Sequence, residues 1–123
     1  MPAGFLTPLD VRLLPETNKG WWYILSPLKY YSEIMGREII VPIGFLTDFV
    51  SFAPLKDIGQ RAGVIHDYLY SCKDVDREIA DKVLREALES IGIDHELADS
   101  MYDAVRVFGR EFKTNELILG PPL

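Results

Sequence analysis

The sequence predicts an α+β protein, with strands in its first half and helices in its second half. Two observations support this class. Residues before about position 60 are rich in Pro, Gly, Tyr, Trp and Ile, whereas later residues are rich in Ala, Glu, Asp and Leu at helical spacing. We expect a small N-terminal antiparallel β-meander of about three strands, packed against a C-terminal three-helix unit.

The strands of the meander are placed by apolar runs and turn formers. Runs at 11–14 and 21–25 flank a cluster of turn-forming residues and predict a hairpin. Residues 29–32 are predicted to continue the second strand beyond Pro27. The β-branched residues within 37–42 predict a third strand.

Three helices are predicted in the second half. The first covers 60–71, the second follows Asp74 as N-cap and stops at Gly92, and the third follows Asp94 and ends at Gly109. Each carries apolar residues at helical spacing, so each has one face to bury.

The length of 123 residues predicts one domain over 1–123. We divide it into a β-rich part at 1–45, an irregular loop at 46–59, a helical part at 60–109 and a C-terminal arm at 110–123. The arm contains Gly120-Pro121-Pro122, which excludes a helix there and leaves open whether it docks or is loose.

Charge and composition exclude several classes of function. The net charge of −6 repels nucleic-acid backbones, so we expect no nucleic-acid partner. No apolar run approaches the roughly 20 residues of a membrane span. The single cysteine, Cys72, has no internal disulfide partner, which favours synthesis in a reducing cytoplasm.

His66 is the first candidate for chemistry, because histidine titrates near neutrality and serves as a base or a metal ligand. It lies in the first predicted helix, where Tyr70 shares its face and Asp67 points about 100° away. The other histidine, His95, is expected at the surface. The alternative is that His66 is a buried histidine bonded to a carboxylate, without a catalytic role.

Acidic residues complete the candidate site. If the first two helices pack antiparallel, Asp81 reaches His66 and fixes its tautomer, with Asp99 and Asp103 as competitors for that role. The candidate catalytic set is therefore His66, Asp81 and Tyr70. Its competing interpretation is that these acids are solvated surface residues.

Asp67 and Asp48 are the candidate metal ligands, because carboxylate oxygens suit a hard cation such as Ca²⁺. Asp48 lies among apolar residues between Thr47 and Ser51, where a charge needs a partner or a cation. The alternatives are an Asx-type turn at Asp48 and an ion pair that joins Asp67 to an arginine. Arg61 and Arg77 are the arginines considered.

Two family resemblances follow from these motifs. The segments at 44–51, 61–70, 80–81 and 101–106, which include TDFVS and HDYLY, resemble a domain family of unknown function found mainly in phage and prophage genomes. This resemblance implies a phage origin, often near tail genes, and no established activity.

His66-Asp67-Tyr68-Leu69-Tyr70 followed by Ala80-Asp81 is also similar to the phospholipase A2 pattern. That resemblance implies His66 as the base that activates water, Asp67 as a calcium ligand and Asp81 as the residue that orients His66. The glycine-rich calcium loop and the disulfides of that family are absent from the sequence.

The leading interpretation is therefore a phage accessory or structural protein of the tail or baseplate, which contacts phage structural proteins or associates with itself. It would be made in the host cytoplasm and be carried in the virion. The alternative is a metal-assisted hydrolase of ester or cell-envelope bonds with His66 as base, and a third reading is an inhibitor of a host enzyme.

Overall fold

The computed structural model describes residues 1–14, 21–48, 59–109 and 117–121. Within these residues, six short strands form two three-stranded antiparallel sheets, and three helices follow them. The α+β class and its order, strands first and helices second, are confirmed. The strands divide between two sheets, where the sequence predicted a single meander of about three strands.

The first sheet has the order β1-β4-β5, with β1 at Gly4–Phe5, β4 at Leu28–Ser32 and β5 at Arg37–Val41. The prediction that 29–32 continue the second strand is wrong, because these residues belong to a separate strand in the other sheet. Pro27 has no N–H to donate to a ladder, so pairing breaks there and the chain changes sheet.

The second sheet has the order β2-β3-β6, with β2 at Val11–Leu13, β3 at Trp22–Ile24 and β6 at Leu46–Thr47. The predicted hairpin is confirmed as the β2–β3 pair. Strand β6 lies in the segment predicted to be irregular, and its pairing with β3 fixes the position of Thr47. Residues 49–58, which include Ser51, lie outside the described residues.

The described part of the C-terminal arm docks onto the second sheet. Leu119 forms an antiparallel bridge with Phe45, and the Gly120 amide donates to the Gly44 carbonyl over 2.7 Å. Of the two predicted alternatives, docked or loose, residues 117–121 take the docked one.

The helices are α1 at Gln60–Ser71, α2 at Arg77–Ser90 and α3 at His95–Phe108. The N-cap of α2 is Asp76 and not the predicted Asp74, which lies in the preceding turn; the Asp76 carbonyl accepts from Ala80 within the helix. None of the helices in the described ranges is long and apolar enough to cross a membrane.

The core lies between the helices and the two sheets. Helix α2 packs between α1 and α3 and also contacts β1 and β4, while α1 contacts β5 and β6. The short link at 72–76 returns α2 along α1, so side chains from the two helices face each other. The largest fully buried apolar side chains are Tyr30, Phe45, Ile24, Leu28, Ile65, Leu69, Leu84 and Leu88.

Candidate functional site

The two central residues of the candidate site, His66 on α1 and Asp81 on α2, are joined by a hydrogen bond. His66 Nε2 lies 2.7 Å from Asp81 Oδ1. The Asp81 side chain is completely buried, whereas 13% of the His66 side chain is exposed. The structure therefore places a buried carboxylate behind an imidazole that solvent can reach.

Asp81 is held by donors from all three helices. Tyr70 Oη donates to Oδ1 over 2.6 Å, and Arg106 Nη1 donates to Oδ2 over 2.8 Å. Arg77 Nη1 lies 3.7 Å from the same Oδ2. Burial alone raises the pKa of this carboxyl, but hydrogen bonds led by those from His66 and Tyr70 outweigh it, so the pKa lies below its usual value.

The charge of Asp81 determines the tautomer of His66. An ionised carboxylate only accepts hydrogen bonds, so the Nε2 atom of His66 carries the proton that points toward Asp81. In the neutral imidazole, Nδ1 is then the nitrogen with the free lone pair. Among the described residues, none forms a hydrogen bond with Nδ1, which leaves this atom able to accept a proton.

Tyr70 lies beside His66, as its position four residues further along α1 predicts. The two ring centroids are 4.2 Å apart. Burial and the hydrogen bond to anionic Asp81 both raise the pKa of the Tyr70 hydroxyl, while a hydrogen bond from Arg77 acts in the opposite direction. Tyr70 thus remains a neutral donor to Asp81.

Asp67 faces the second sheet and not the helices. Thr47 Oγ1 on β6 donates to Asp67 Oδ2 over 2.6 Å. Burial raises the pKa of Asp67 to about 6; the Thr47 hydroxyl lowers it, the nearby Asp48 charge raises it, and the Asp48 backbone amide lowers it. The structure therefore brings Asp67 and Asp48 together, but on a different side of α1 from Asp81.

The predicted ion pair that joins Asp67 to Arg61 or Arg77 is not formed. The guanidinium of Arg61 lies 4.5 Å from the centre of the Phe5 ring. Arg77 donates to the carbonyls of Val105 and Arg106, at 3.3 and 3.2 Å. The reason is geometric, because Asp67 projects toward β6 while Arg77 projects toward the end of α3.

Calcium coordination at Asp67 and Asp48 stays a prediction. Ca²⁺ takes six to eight oxygen ligands, and Asp67 Oδ2 already accepts a hydrogen bond from Thr47. In the part of the chain that the structure describes, no three histidine, cysteine or acidic side chains form a group that could hold a metal ion. The described residues thus supply part of a calcium site, and we derive no chemical step from the ion.

The competing candidates for the partner of His66 lie elsewhere. Asp99 forms a salt bridge with Arg85 over 2.7 Å, and Asp103 is exposed. His95 pairs with Glu89 at the surface, with 75% of its side chain exposed. The expectation that His95 lies at the surface is confirmed.

Arg106 and Arg77 are the members of the cluster that sequence reasoning missed as partners of Asp81. Arg106 is separated from Asp81 by 25 residues, so no local spacing connects them. Arg77 offered a signal, because it lies four residues before Asp81 on the same helix. Two guanidinium groups on one buried carboxylate make the cluster cationic when His66 is neutral.

Comparison with known families matches residues 22–105 to the family described as Protein of unknown function (DUF1353). The matched segment covers more than half of the chain and contains Asp48, His66, Asp67 and Asp81. Arg106 lies just beyond it. No match was found among curated proteins or among solved structures.

Proposed function

The chain belongs to DUF1353, a family of proteins of unknown function, and we propose that it is a hydrolase of ester bonds in which His66 activates water. The observation that carries the proposal is the hydrogen bond from His66 Nε2 to buried Asp81. An oriented imidazole with one free nitrogen is the arrangement that general-base catalysis requires. This order of preference reverses the one drawn from the sequence, because this 2.7 Å contact carries more weight than a resemblance to phage proteins.

In the proposed reaction, His66 Nδ1 removes a proton from a water molecule. The water oxygen attacks the carbonyl carbon of the ester, and the bond to the leaving alcohol oxygen breaks. The proton then passes from His66 to that oxygen, so the imidazole is neutral again at the end. Products are a carboxylic acid and an alcohol.

Asp81 and Tyr70 act as positioning residues in this scheme. Asp81 holds the imidazole in one tautomer and stabilises the imidazolium that forms when the water proton arrives. Tyr70 and Arg106 keep Asp81 ionised and fixed, one at each carboxylate oxygen. None of the three has to touch the substrate.

The test is hydrolysis of a panel of carboxylic esters, from p-nitrophenyl acetate to short-chain phospholipids, followed by release of acid or chromophore. We expect His66→Gln to lower kcat by about 10²-fold or more. His95→Gln is the matched control, because it removes the other histidine from an exposed position, and it should keep the full rate. Equal rates for wild type and His66→Gln, or no hydrolysis of any ester by the wild type, would overturn the proposal.

A second candidate function is contact with other proteins, and it carries the predicted role in the phage tail or baseplate. Large apolar side chains are exposed near the docked C-terminal segment: Ile43 is 56% exposed and Leu119 is 53% exposed. Leu119 bridges Phe45, two residues from Ile43, so both belong to one neighbourhood. Exposed apolar clusters favour binding surfaces. In this case the His66–Asp81 pair only ties two helices together.

Ile43→Glu distinguishes the two functions, because it places a charge on this apolar neighbourhood and leaves His66 untouched. For a contact protein, we expect the variant to lose self-association in sedimentation, or incorporation into virions measured by mass spectrometry. An unchanged variant in both measurements would reject this second function.

A further inference from the structure

Two glycines that end helices do so for different reasons. Gly92, after α2, has a φ of +89°, a conformation that residues with a side chain rarely adopt. Gly109, after α3, has a φ of −77° and a ψ of −12°, which any residue adopts. Conformational freedom therefore explains Gly92 and does not explain Gly109.

Space explains Gly109. A Cβ atom built at this position would overlap the hydroxyl oxygen of Tyr70 and would lie 3.2 Å from its Cζ atom. A Cβ at Gly92 would meet nothing within 4 Å. Because Tyr70 is only 5% exposed, it has no open solvent into which it can swing. The hydroxyl thus occupies the volume that a side chain at position 109 would need.

The displaced group would be the one that holds Asp81. Tyr70 Oη and His66 Nε2 both bond to the same oxygen, Asp81 Oδ1, at 2.6 and 2.7 Å. The Tyr70 ring also packs against the imidazole. Any shift of the hydroxyl away from Gly109 therefore changes the position of Asp81 Oδ1 or of the imidazole itself.

The end of α3 is fixed in place against this cluster. Arg77 donates to the carbonyls of Val105 and Arg106, and the Arg106 side chain donates to Asp81 Oδ2. The Gly109 amide donates to the Val105 carbonyl. Since these contacts hold the backbone at Gly109, a clash there is relieved more easily by moving Tyr70 than by moving the helix end.

We propose that Gly109 is a positioning residue for His66: the lack of a side chain at 109 lets the Tyr70 hydroxyl reach Asp81, which in turn orients the imidazole. The inference rests on the proposed function only for the catalytic meaning of His66. The contact chain from Gly109 to His66 can be tested without any substrate.

The experiment records the two histidine ring signals by NMR, assigned with His95→Gln, together with thermal unfolding. We expect Gly109→Ala to move the His66 signal and to lower Tm by about 5 °C. In a Tyr70→Phe background, which lacks the hydroxyl, the same substitution should change Tm and the His66 signal far less. Gly92→Ala is the matched control: it should lower Tm through its positive φ and leave the His66 signal in place.

Two results would overturn the inference. One is a Gly109→Ala protein whose His66 signal is unchanged; the other is an equal effect of Gly109→Ala with and without the Tyr70 hydroxyl. If Gly109→Ala does not fold, the double variant decides, and its failure to fold also counts against the inference. Coupling between Gly109 and Tyr70 without any ester hydrolysis would leave the inference standing and reject the hydrolase.

Discussion

Two carboxylates on different sides of α1, Asp81 and Asp67, respond to burial in opposite ways. Asp81 is completely buried, and its pKa nevertheless lies below the usual value. Asp67 is partly buried, and its pKa rises to about 6. His66 and Asp67 are neighbours in sequence, yet each contacts a different one of these environments.

The difference comes from the donors and not from the degree of burial. Asp81 receives hydrogen bonds from an imidazole, a phenol and a guanidinium, with a second guanidinium nearby. Asp67 receives bonds from a hydroxyl and one amide, and it has the like charge of Asp48 beside it. A buried carboxylate therefore stays ionised only where enough donors, preferably charged ones, converge on it.

The largest expected effect comes from removing the charge of Asp81. Asp81→Asn leaves the guanidinium groups of Arg106 and Arg77 without their counter-ion, and we expect it to lower the free energy of unfolding by about 3–5 kcal/mol. Urea denaturation at pH 7 measures this loss.

Asp99→Asn is the matched control for Asp81→Asn. It breaks the Arg85–Asp99 pair, in which both side chains are substantially exposed, and should cost less than about 1 kcal/mol. Similar losses for the two variants would contradict the difference between a buried and an exposed carboxylate.

A smaller effect of the opposite sign is expected at Asp67. Its pKa in the folded protein, about 6, exceeds the ordinary value of 3.8, so the fold favours the neutral form. This contribution to stability is complete below pH 3.8 and is lost as the pH rises through 6. The loss is at most about 3 kcal/mol, and less where solvent screens the charge.

Asp67→Asn, which is neutral at every pH, should therefore be more stable than the wild type at pH 8 by about 1–3 kcal/mol. At pH 4 the two proteins should be nearly equal, because the amide oxygen still accepts from Thr47. Denaturation curves of both proteins from pH 4 to 8 measure the difference. A difference that does not depend on pH would show that Asp67 is not the group that titrates.

The smallest expected effect is that of calcium. With two carboxylates as the charged ligands, we expect Ca²⁺ to bind weakly, with a Kd of about 1 mM, so that 10 mM adds about 1.4 kcal/mol of stability. Thermal unfolding with Ca²⁺ and with EDTA at pH 8 measures this. Asp67→Asn should abolish the increase, and an equal increase in that variant would place the ion elsewhere.

Local patterns in the sequence determined most of the helical half. Periodicity and turn residues placed α1 at its observed bounds and α3 between Asp94 and Gly109. They also placed Tyr70 on the face of His66 and gave Asp81 as its partner across a short link. These relations depend on 3.6 residues per turn and on a connection of a few residues, so they are encoded within short segments.

The tertiary structure alone decided which strands share a sheet, that Arg106 completes the Asp81 cluster, and that Asp67 turns to Thr47. The Thr47–Asp67 contact spans 20 residues and the Asp81–Arg106 contact spans 25. No local period relates such positions, because their distance is set by how whole elements pack. The same holds for Gly109, whose need for space arises from a tyrosine side chain on another helix.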